Sequence, residues 1–276
     1  MQFPETFATP FVPVVSQGVP SSGLIDLTPK EPMSLASDLK ILWHLALAPV
    51  GGTTHAERME NFYRGQSAGY DAFRERLLHG RSELIERVTA EPGGTWVDLG
   101  GGTGINLTFA GARLAGFRNI YVVDLARSLL EVADRRAAEQ GWTNVSTVAA
   151  DATRYMPTEA VDLVTFSYSL TMIPDWFAAI DRAWEMLRPG QYLGVVDFFV
   201  GRKFPAGGRS SHGWLTRNLL PLWFGTDNVF LSADHIPYLQ HRFETVFLAE
   251  RLGRVPYLPG IRAPHYLFVG RKPMSN

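Results

Sequence analysis

The chain has 276 residues, 46% of them hydrophobic, and a formal net charge of −1. That length buries one sizeable core in one or two domains, and the near-neutral balance supplies no basic field for nucleic acid. The sequence has no cysteine, which excludes disulfides, thiolate nucleophiles and cysteine metal sites.

The N-terminus, MQFPETFATPFVPVV, lacks the basic start and apolar stretch of a signal peptide, and no run of about 18 apolar residues is present to span a membrane. The expected location is cytoplasmic, with peripheral contact with a membrane left open. Residues 1–33 carry Pro4, Pro10, Pro13, Pro20, Pro29 and Pro32, a spacing that forbids a helix and predicts an extended arm. After Ser34, Leu35, Leu39, Leu42, Trp43 and Ala46 recur at helical spacing. Residues 55–79 read as further helices, so 34–90 is expected to form a helical lid. A larger domain, 91–276, follows.

From Thr95 the pattern alternates strand and helix. TWVDL (95–99) reads as a buried strand ending in glycines, and 104–115 as a helix. NIYVVD (119–124), NVSTVAAD (144–151), VDLVTFSYSL (161–170) and QYLGVVDFF (191–199) read as strands. The helices between them are LLEVADRRAAEQ, capped by Ser128, and WFAAIDRAWEML, capped by Asp175. Helices of this length between strands mean βαβ units and a parallel sheet. Residues 202–240 break the rhythm with Gly, Pro and aromatics, as a cap insertion does. FETVFLAERLG and PHYLFVGRK close the chain as two more strands.

The strongest chemical signal is Asp98-Leu99-Gly100-Gly101-Gly102-Thr103-Gly104, between a strand and a helix. Glycines there permit a sharp turn and bring a ligand onto the backbone, at the strand ends where open α/β sheets bind ligands. A dinucleotide fingerprint fails: its third glycine falls on Ile105 or Leu107, depending on the start. Asp98, Gly100, Gly102 and Gly104 instead fit D-x-G-x-G-x-G.

That arrangement resembles motif I of the class I S-adenosylmethionine-dependent methyltransferases. The resemblance implies a Rossmann-like α/β fold. Its sheet would be mostly parallel and seven-stranded, with helices on both faces and an antiparallel C-terminal strand. It also implies S-adenosylmethionine as cofactor, held by Asp98, Gly100, Gly102, Thr103 and Gly104. Asp98 would then meet the cationic amino-acid part, directly or through water. Asp124, with Leu125, ends the second strand where an acid accepts from both ribose hydroxyls; capping of the next helix is its competing role. Asp151 and Ala152 follow the third strand beside the adenine position. Ser167 and Ser169 follow the fourth beside the reacting methyl, where ordinary strand-end polar residues also occur.

The flanks HAERMENFYRGQSAGYDAFRERLLHGR and NLLPLWFGTDNVFLSADHIPYLQHRFE resemble the N-methyltransferases of betaine-lipid biosynthesis, which trimethylate the homoserine amine of diacylglycerylhomoserine. The resemblance covers roughly residues 38–272 and leaves the arm unmatched. It implies a lipid-headgroup substrate and a separate aminocarboxypropyl transferase as pathway partner. Candidates to position the amine and take its proton are Tyr63, Tyr70, His235 and Tyr238, and core packing accounts for each equally well. Arg74 or Arg76 would pair with the substrate carboxylate, against a solvated helix face as the plainer role. No metal site is proposed. The apolar stretches around Trp43 and from Trp214 to Phe224 suit either a membrane interface or core packing. The competing functions are methyl transfer to a quinone precursor or small amine, and a non-catalytic lipid-binding module. A nicotinamide oxidoreductase is disfavoured by the failed fingerprint.

Overall fold

Alternation in β1 (Thr95–Leu99) sets the architecture, because all five of its residues are buried, as in a strand covered on both faces. Trp96 enters one core and Val97 and Leu99 enter the other. The computed structural model describes residues 53, 54, 57, 60, 76–88, 90–226, 228–256, 258 and 260–274. The arm 1–33, the segment around Trp43 expected to be helical, Tyr63, Tyr70 and Arg74 lie outside the described residues.

α1 (Arg81–Arg87) precedes β1. After β1 come α2 (Ile105–Thr108), a 3-10 turn (Gly111–Gly116), β2 (Asn119–Asp124), α3 (Arg127–Glu139) and β3 (Val145–Ala149). The chain then returns through β4 (Val161–Ser167), α4 (Trp176–Met186) and β5 (Leu187–Phe198). It ends with α5 (Trp214–Gly225), α6 (His235–Arg242), β6 (Glu244–Arg254) and β7 (Arg262–Arg271).

The seven strands form one sheet in the order β3-β2-β1-β4-β5-β7-β6. β1 to β5 pair in parallel, and β7 runs antiparallel to both β5 and β6. The expected mixed seven-stranded sheet is therefore the one observed. Strand order reverses at β1, flanked by β2 and β4, so the crevice at the C-terminal ends of these strands is the ligand position of such sheets.

One face of the sheet packs Leu84, Ile85 and Val88, Leu130 and Ala133 of α3, and Phe224 of α5. The other packs Ala179, Ile180 and Ala183 of α4 with Ile236 and Leu239 of α6. Burying one such aliphatic side chain contributes about 1.5–3 kcal/mol. Gly194 lets α1 lie against β5, since a Cβ there would stand 2.6 Å from Val88 Cγ1.

Local details depart from the sequence reading at three points. The helix expected over 104–115 is one α-turn followed by a 3-10 turn, broken where Gly111 turns left-handed at φ 54°. Ser128 lies inside α3 rather than capping it; Asp124 Oδ1 accepts from Ala126 N–H instead, at 2.9 Å. Within the expected cap, α6 is a sheet-face helix that buries His235, Ile236 and Leu239. Asp175 does cap α4, accepting from Ala178 N–H at 3.2 Å.

Candidate functional site

The turn after β1 passes through three glycines in the left-handed region: Gly100 at φ 66°, Gly102 at 55° and Gly104 at 66°. Backbone hydrogen bonds from Gly100 and Gly101 N–H to Val123 O hold it against β2, at 2.8 and 3.1 Å. The three glycines have different neighbours. A Cβ on Gly100 would stand 2.4 Å from Ser169 Cβ, whereas one on Gly102 meets nothing closer than Leu129 at 3.6 Å. Gly104 lies 3.3 Å by the same measure from Ala133 Cβ, so its bareness serves the packing of α3.

Two cavities flank the loop. The larger, about 330 Å³, is bounded by Gly100 and Gly102, by Asp124, Leu125 and Leu129, by Asp151 and Ala152, and by Tyr168, Ser169 and Met172. The smaller, about 60 Å³, lies among Arg81, Gly102, Thr103, Asn106, Arg136 and Ser167.

Asp124 ends β2 in the wall of the larger cavity. Its Oδ2 accepts from Gly102 N–H at 3.0 Å and its Oδ1 from Ala126 N–H. It therefore fixes the turn that leads into α3, ties down the glycine loop and faces the cavity at once. Asp151 Oδ1 accepts from the Thr153 amide and hydroxyl at 2.9 and 2.7 Å, a local turn that fixes the loop after β3. Leu125, Leu129, Ala152, Met172 and Ile173 give the cavity apolar walls.

Fully buried beneath the loop, Asp98 accepts from Thr165 Oγ1–H at 2.6 Å and from Asn106 Nδ2–H at 3.0 Å. Trp96 Nε1–H extends the chain by donating to Thr165 Oγ1 at 2.8 Å. Burial pushes the Asp98 carboxyl up to about 6. It borders neither of these two cavities and pins the loop from below through Asn106. Gly104 likewise borders neither cavity. Thr103 borders the smaller one, and its carbonyl accepts from Arg136.

Beyond β4, Ser169 donates from Oγ to Leu99 O at 2.9 Å, buttressing the glycine turn, and also borders the larger cavity. Ser167 borders the smaller cavity, and its buried Oγ has no hydrogen-bond partner among the described residues. Between them Tyr168 takes a left-handed conformation, φ 55°, and donates to His79 O at 2.6 Å.

His235 is fully buried, its ring 4.6 Å from that of Trp176, and burial holds its imidazole down to about 4. Tyr238 donates to Asp181 Oδ1 at 2.7 Å on the surface between α4 and α6. Neither borders either of these two cavities. Their reading as proton acceptors stays an expectation; the His235 ring packs on Trp176, which follows the cavity-lining Asp175 in sequence. Tyr63 and Tyr70 lie outside the described residues, and Arg76 is exposed. Sequence reasoning missed Arg81, whose buried guanidinium borders the smaller cavity, and Leu129, Met172 and Ile173. Arg81 carries no motif, and its placement depends on α1 folding back onto the sheet.

These residues suit a cofactor with an adenosine end and a zwitterionic amino-acid end. A carboxylate at the end of β2, open space where Gly102 lacks a side chain, and apolar walls meet the first requirement. The buried guanidinium and the unpartnered Ser167 hydroxyl meet the second.

Residues 97–190 match the family model described as a methyltransferase domain. The ubiquinone/menaquinone biosynthesis C-methyltransferase UbiE of Vibrio vulnificus is 28% identical over 163 residues, 56% of this chain and 62% of that protein. The corresponding protein of Shewanella frigidimarina is 29% identical over 56% and 64%. The chain thus matches a little over three fifths of the length of these relatives. Among solved structures, a Haemonchus contortus phosphoethanolamine N-methyltransferase 2 in complex with S-adenosyl-L-methionine aligns with a TM-score of 0.62. Identity there is 15%, over 82% of this chain and 61% of that one. The [4+2]-cyclase SpnF aligns at 0.55, with 19% identity over 76% and 85%. At these identities the likeness to the solved structures shows the fold alone, a seven-stranded mixed α/β sheet shared with methyltransferases.

Proposed function

We propose that this chain, with its class I fold and a methyltransferase domain over residues 97–190, transfers methyl groups from S-adenosylmethionine to the homoserine amine of diacylglycerylhomoserine, in successive rounds. The observation that carries the methyl-transfer part is the cavity at the switch point, where Asp124 and Gly102 share one wall. Bound there, the cofactor supplies a sulfonium methyl open to in-line attack. Asp124, in the cavity wall at the end of β2, would hold the ribose hydroxyls. Leu129, Met172 and Ile173 exclude water from the base and the reacting centre. Arg81, which lines the smaller cavity, would pair with the amino-acid carboxylate. Alignment of an unprotonated nitrogen with the methyl is the main contribution of the protein, and positioning of this kind lowers a barrier by several kcal/mol.

The lipid acceptor rests on the flanking segments, which resemble betaine-lipid N-methyltransferases. Tyr63 and Tyr70 are the foremost proposed headgroup residues, with His235 and Tyr238, which border neither described cavity, behind them. The acceptor lipid would come from an aminocarboxypropyl transferase on another chain. The protein would act in the cytoplasm at the membrane periphery; among the described residues no helix is long and apolar enough to cross a membrane.

A second reading is favoured by the relatives of 28–29% identity, which are C-methyltransferases of ubiquinone/menaquinone biosynthesis. In it the same cavity serves carbon methylation of a lipophilic ring. Incubation of the full chain with isotope-labelled S-adenosylmethionine and vesicles holding either diacylglycerylhomoserine or a demethylated quinol separates the two, read by mass spectrometry. Label on the headgroup nitrogen supports the first reading. Label on the ring alone replaces it with the second, and label on neither refutes both acceptors.

A further inference from the structure

α5 is amphipathic in an unusual sense, because its outer face is as apolar as its inner one. Phe224 is buried and Trp223 and Leu220 pack against the core, anchoring the helix to the sheet. The Phe224 ring stands 4.9 Å from Phe198, which itself lies 4.6 Å from Tyr168 at the cavity wall. On the opposite side Trp214 is 65% exposed, Leu215 64%, Leu219 51% and Leu222 72%. Residues 214, 215, 218, 219 and 222 recur at helical spacing, and only Asn218 among them is polar. Phe204, 82% exposed, and Phe230, 60% exposed, come from the segments flanking this helix. Scattered exposed hydrophobics are ordinary, whereas a helix face of Trp and Leu with no polar majority marks a contact surface.

The charge around this face identifies its partner. Residues 202–234 hold Arg202, Lys203, Arg209 and Arg217 against two acids, Asp227 and Asp234, a basic excess in a chain whose net charge is −1. Arg202 pairs with Asp234 and Arg209 with Glu250. Lys203 has no ion-pair partner among the described residues and lies 5.2 Å over the Phe204 ring. An apolar face with Trp and Phe and a basic fringe matches the boundary of an anionic bilayer, where side chains reach the acyl region while Lys and Arg stay among the headgroups. The face also adjoins the site. Phe230 N–H donates to Thr171 O at 2.7 Å, and Met172 borders the larger cavity.

We infer that the outer face of α5, with Lys203, Phe204 and Phe230, docks this protein on an anionic lipid surface and thereby holds its cavity against the membrane. The inference rests on exposure and charge, and it deepens the reading of a bilayer-borne acceptor without needing that acceptor's identity.

The test is co-sedimentation of the full chain with phosphatidylcholine vesicles, with and without phosphatidylglycerol, at low and high salt. Wild type is expected to bind vesicles containing phosphatidylglycerol more tightly, and salt is expected to weaken that binding. Leu215→Asp with Leu219→Asp should lower the partition coefficient by at least about tenfold, the effect of withdrawing apolar side chains from the interface. Lys203→Glu should weaken binding to phosphatidylglycerol vesicles by about fivefold or more, because one basic charge is replaced by an acidic one. Because all three side chains face solvent, thermal melting and S-adenosylmethionine affinity should stay at wild-type values. The milder pair Trp214→Ala and Leu222→Ala provides the same readout if the aspartates disturb the fold. Wild type that ignores both vesicle types overturns the inference, as do variants that sediment like wild type. A dimer in sedimentation velocity that these substitutions split, with vesicle binding unchanged, assigns the face to a second copy and also overturns it. Vesicle binding without methylation of diacylglycerylhomoserine leaves the docking surface standing and removes the acceptor; methylation without patch-dependent binding does the reverse.

Discussion

Replacing the glycines of the loop one at a time separates the fold's requirement from the ligand's. Gly102→Ala places a methyl in the left-handed region, which costs about 1–2 kcal/mol, but that methyl meets no protein atom within 3.6 Å. The protein should therefore fold with a melting temperature a few degrees lower. The methyl points into the space beside Asp124 and Leu129, so it takes volume from the ligand. Gly102→Val adds two further carbons and should remove S-adenosylmethionine binding while the chain stays folded. Gly100→Ala behaves differently. Its φ is as unfavourable, and its methyl would stand 2.4 Å from Ser169 Cβ. Ser169 is buried and bonded to Leu99 O, so it cannot swing aside. Overpacking of this kind adds about 1–3 kcal/mol to the backbone strain. Calorimetric titration and thermal melts on the three variants provide the readout. Wild-type affinity in Gly102→Val, or a Gly100→Ala protein as stable as Gly102→Ala, would refute the division of labour within the loop.

Asp124→Ala removes the acceptor for Gly102 and Ala126 N–H, so stability should fall by about 1–2 kcal/mol. Cofactor affinity should fall roughly ten- to a hundredfold, as expected when a charged hydrogen bond is lost; an unchanged titration curve places the ribose contact elsewhere. Burial pushes the Asp197 carboxyl up to about 7, so the native state keeps a proton that the unfolded chain releases. Its contribution to stability is lost as pH rises from about 4 to about 7, and Asp197→Asn should gain on wild type across that window by an amount on the order of 4 kcal/mol. His235, held down to about 4, acts in the opposite sense: its contribution is present above about 6.5 and lost as pH falls toward 4. Urea denaturation at several pH values checks the Asp197 prediction, and a pH-independent difference between the two proteins would refute it. Tyr238→Phe breaks the bond to Asp181 on a partly exposed surface. It should cost no more than about 1 kcal/mol and leave methylation turnover intact; a large loss of turnover would return this residue to the site.

The sheet and the loop were legible in the sequence alone. Buried strands such as TWVDL and VDLVTFS are legible because a strand covered on both faces must be apolar on both. The glycine loop is legible because left-handed turns leave glycine as the ready choice. Asp124 and Asp151 followed from strand ends, since the sheet's connectivity dictates which ends meet. Other placements came only with tertiary structure, because they depend on which face of an element another element covers. Asp98 lies in the motif yet turns under the loop, where Thr165 and Asn106 from neighbouring elements satisfy it. The contacts of His235 with Trp176 and of Tyr238 with Asp181 likewise depend on α6 packing against α4, which no spacing in the sequence gives. Arg81 has no sequence signal, and only the contact of α1 with the sheet brings it to the loop. In α5 the composition was compatible with either core or interface. Docking of Phe224 against Phe198 selects the inner face and leaves Trp214, Leu215, Leu219 and Leu222 in solvent, because a helix with two apolar faces can bury only one of them against a single sheet.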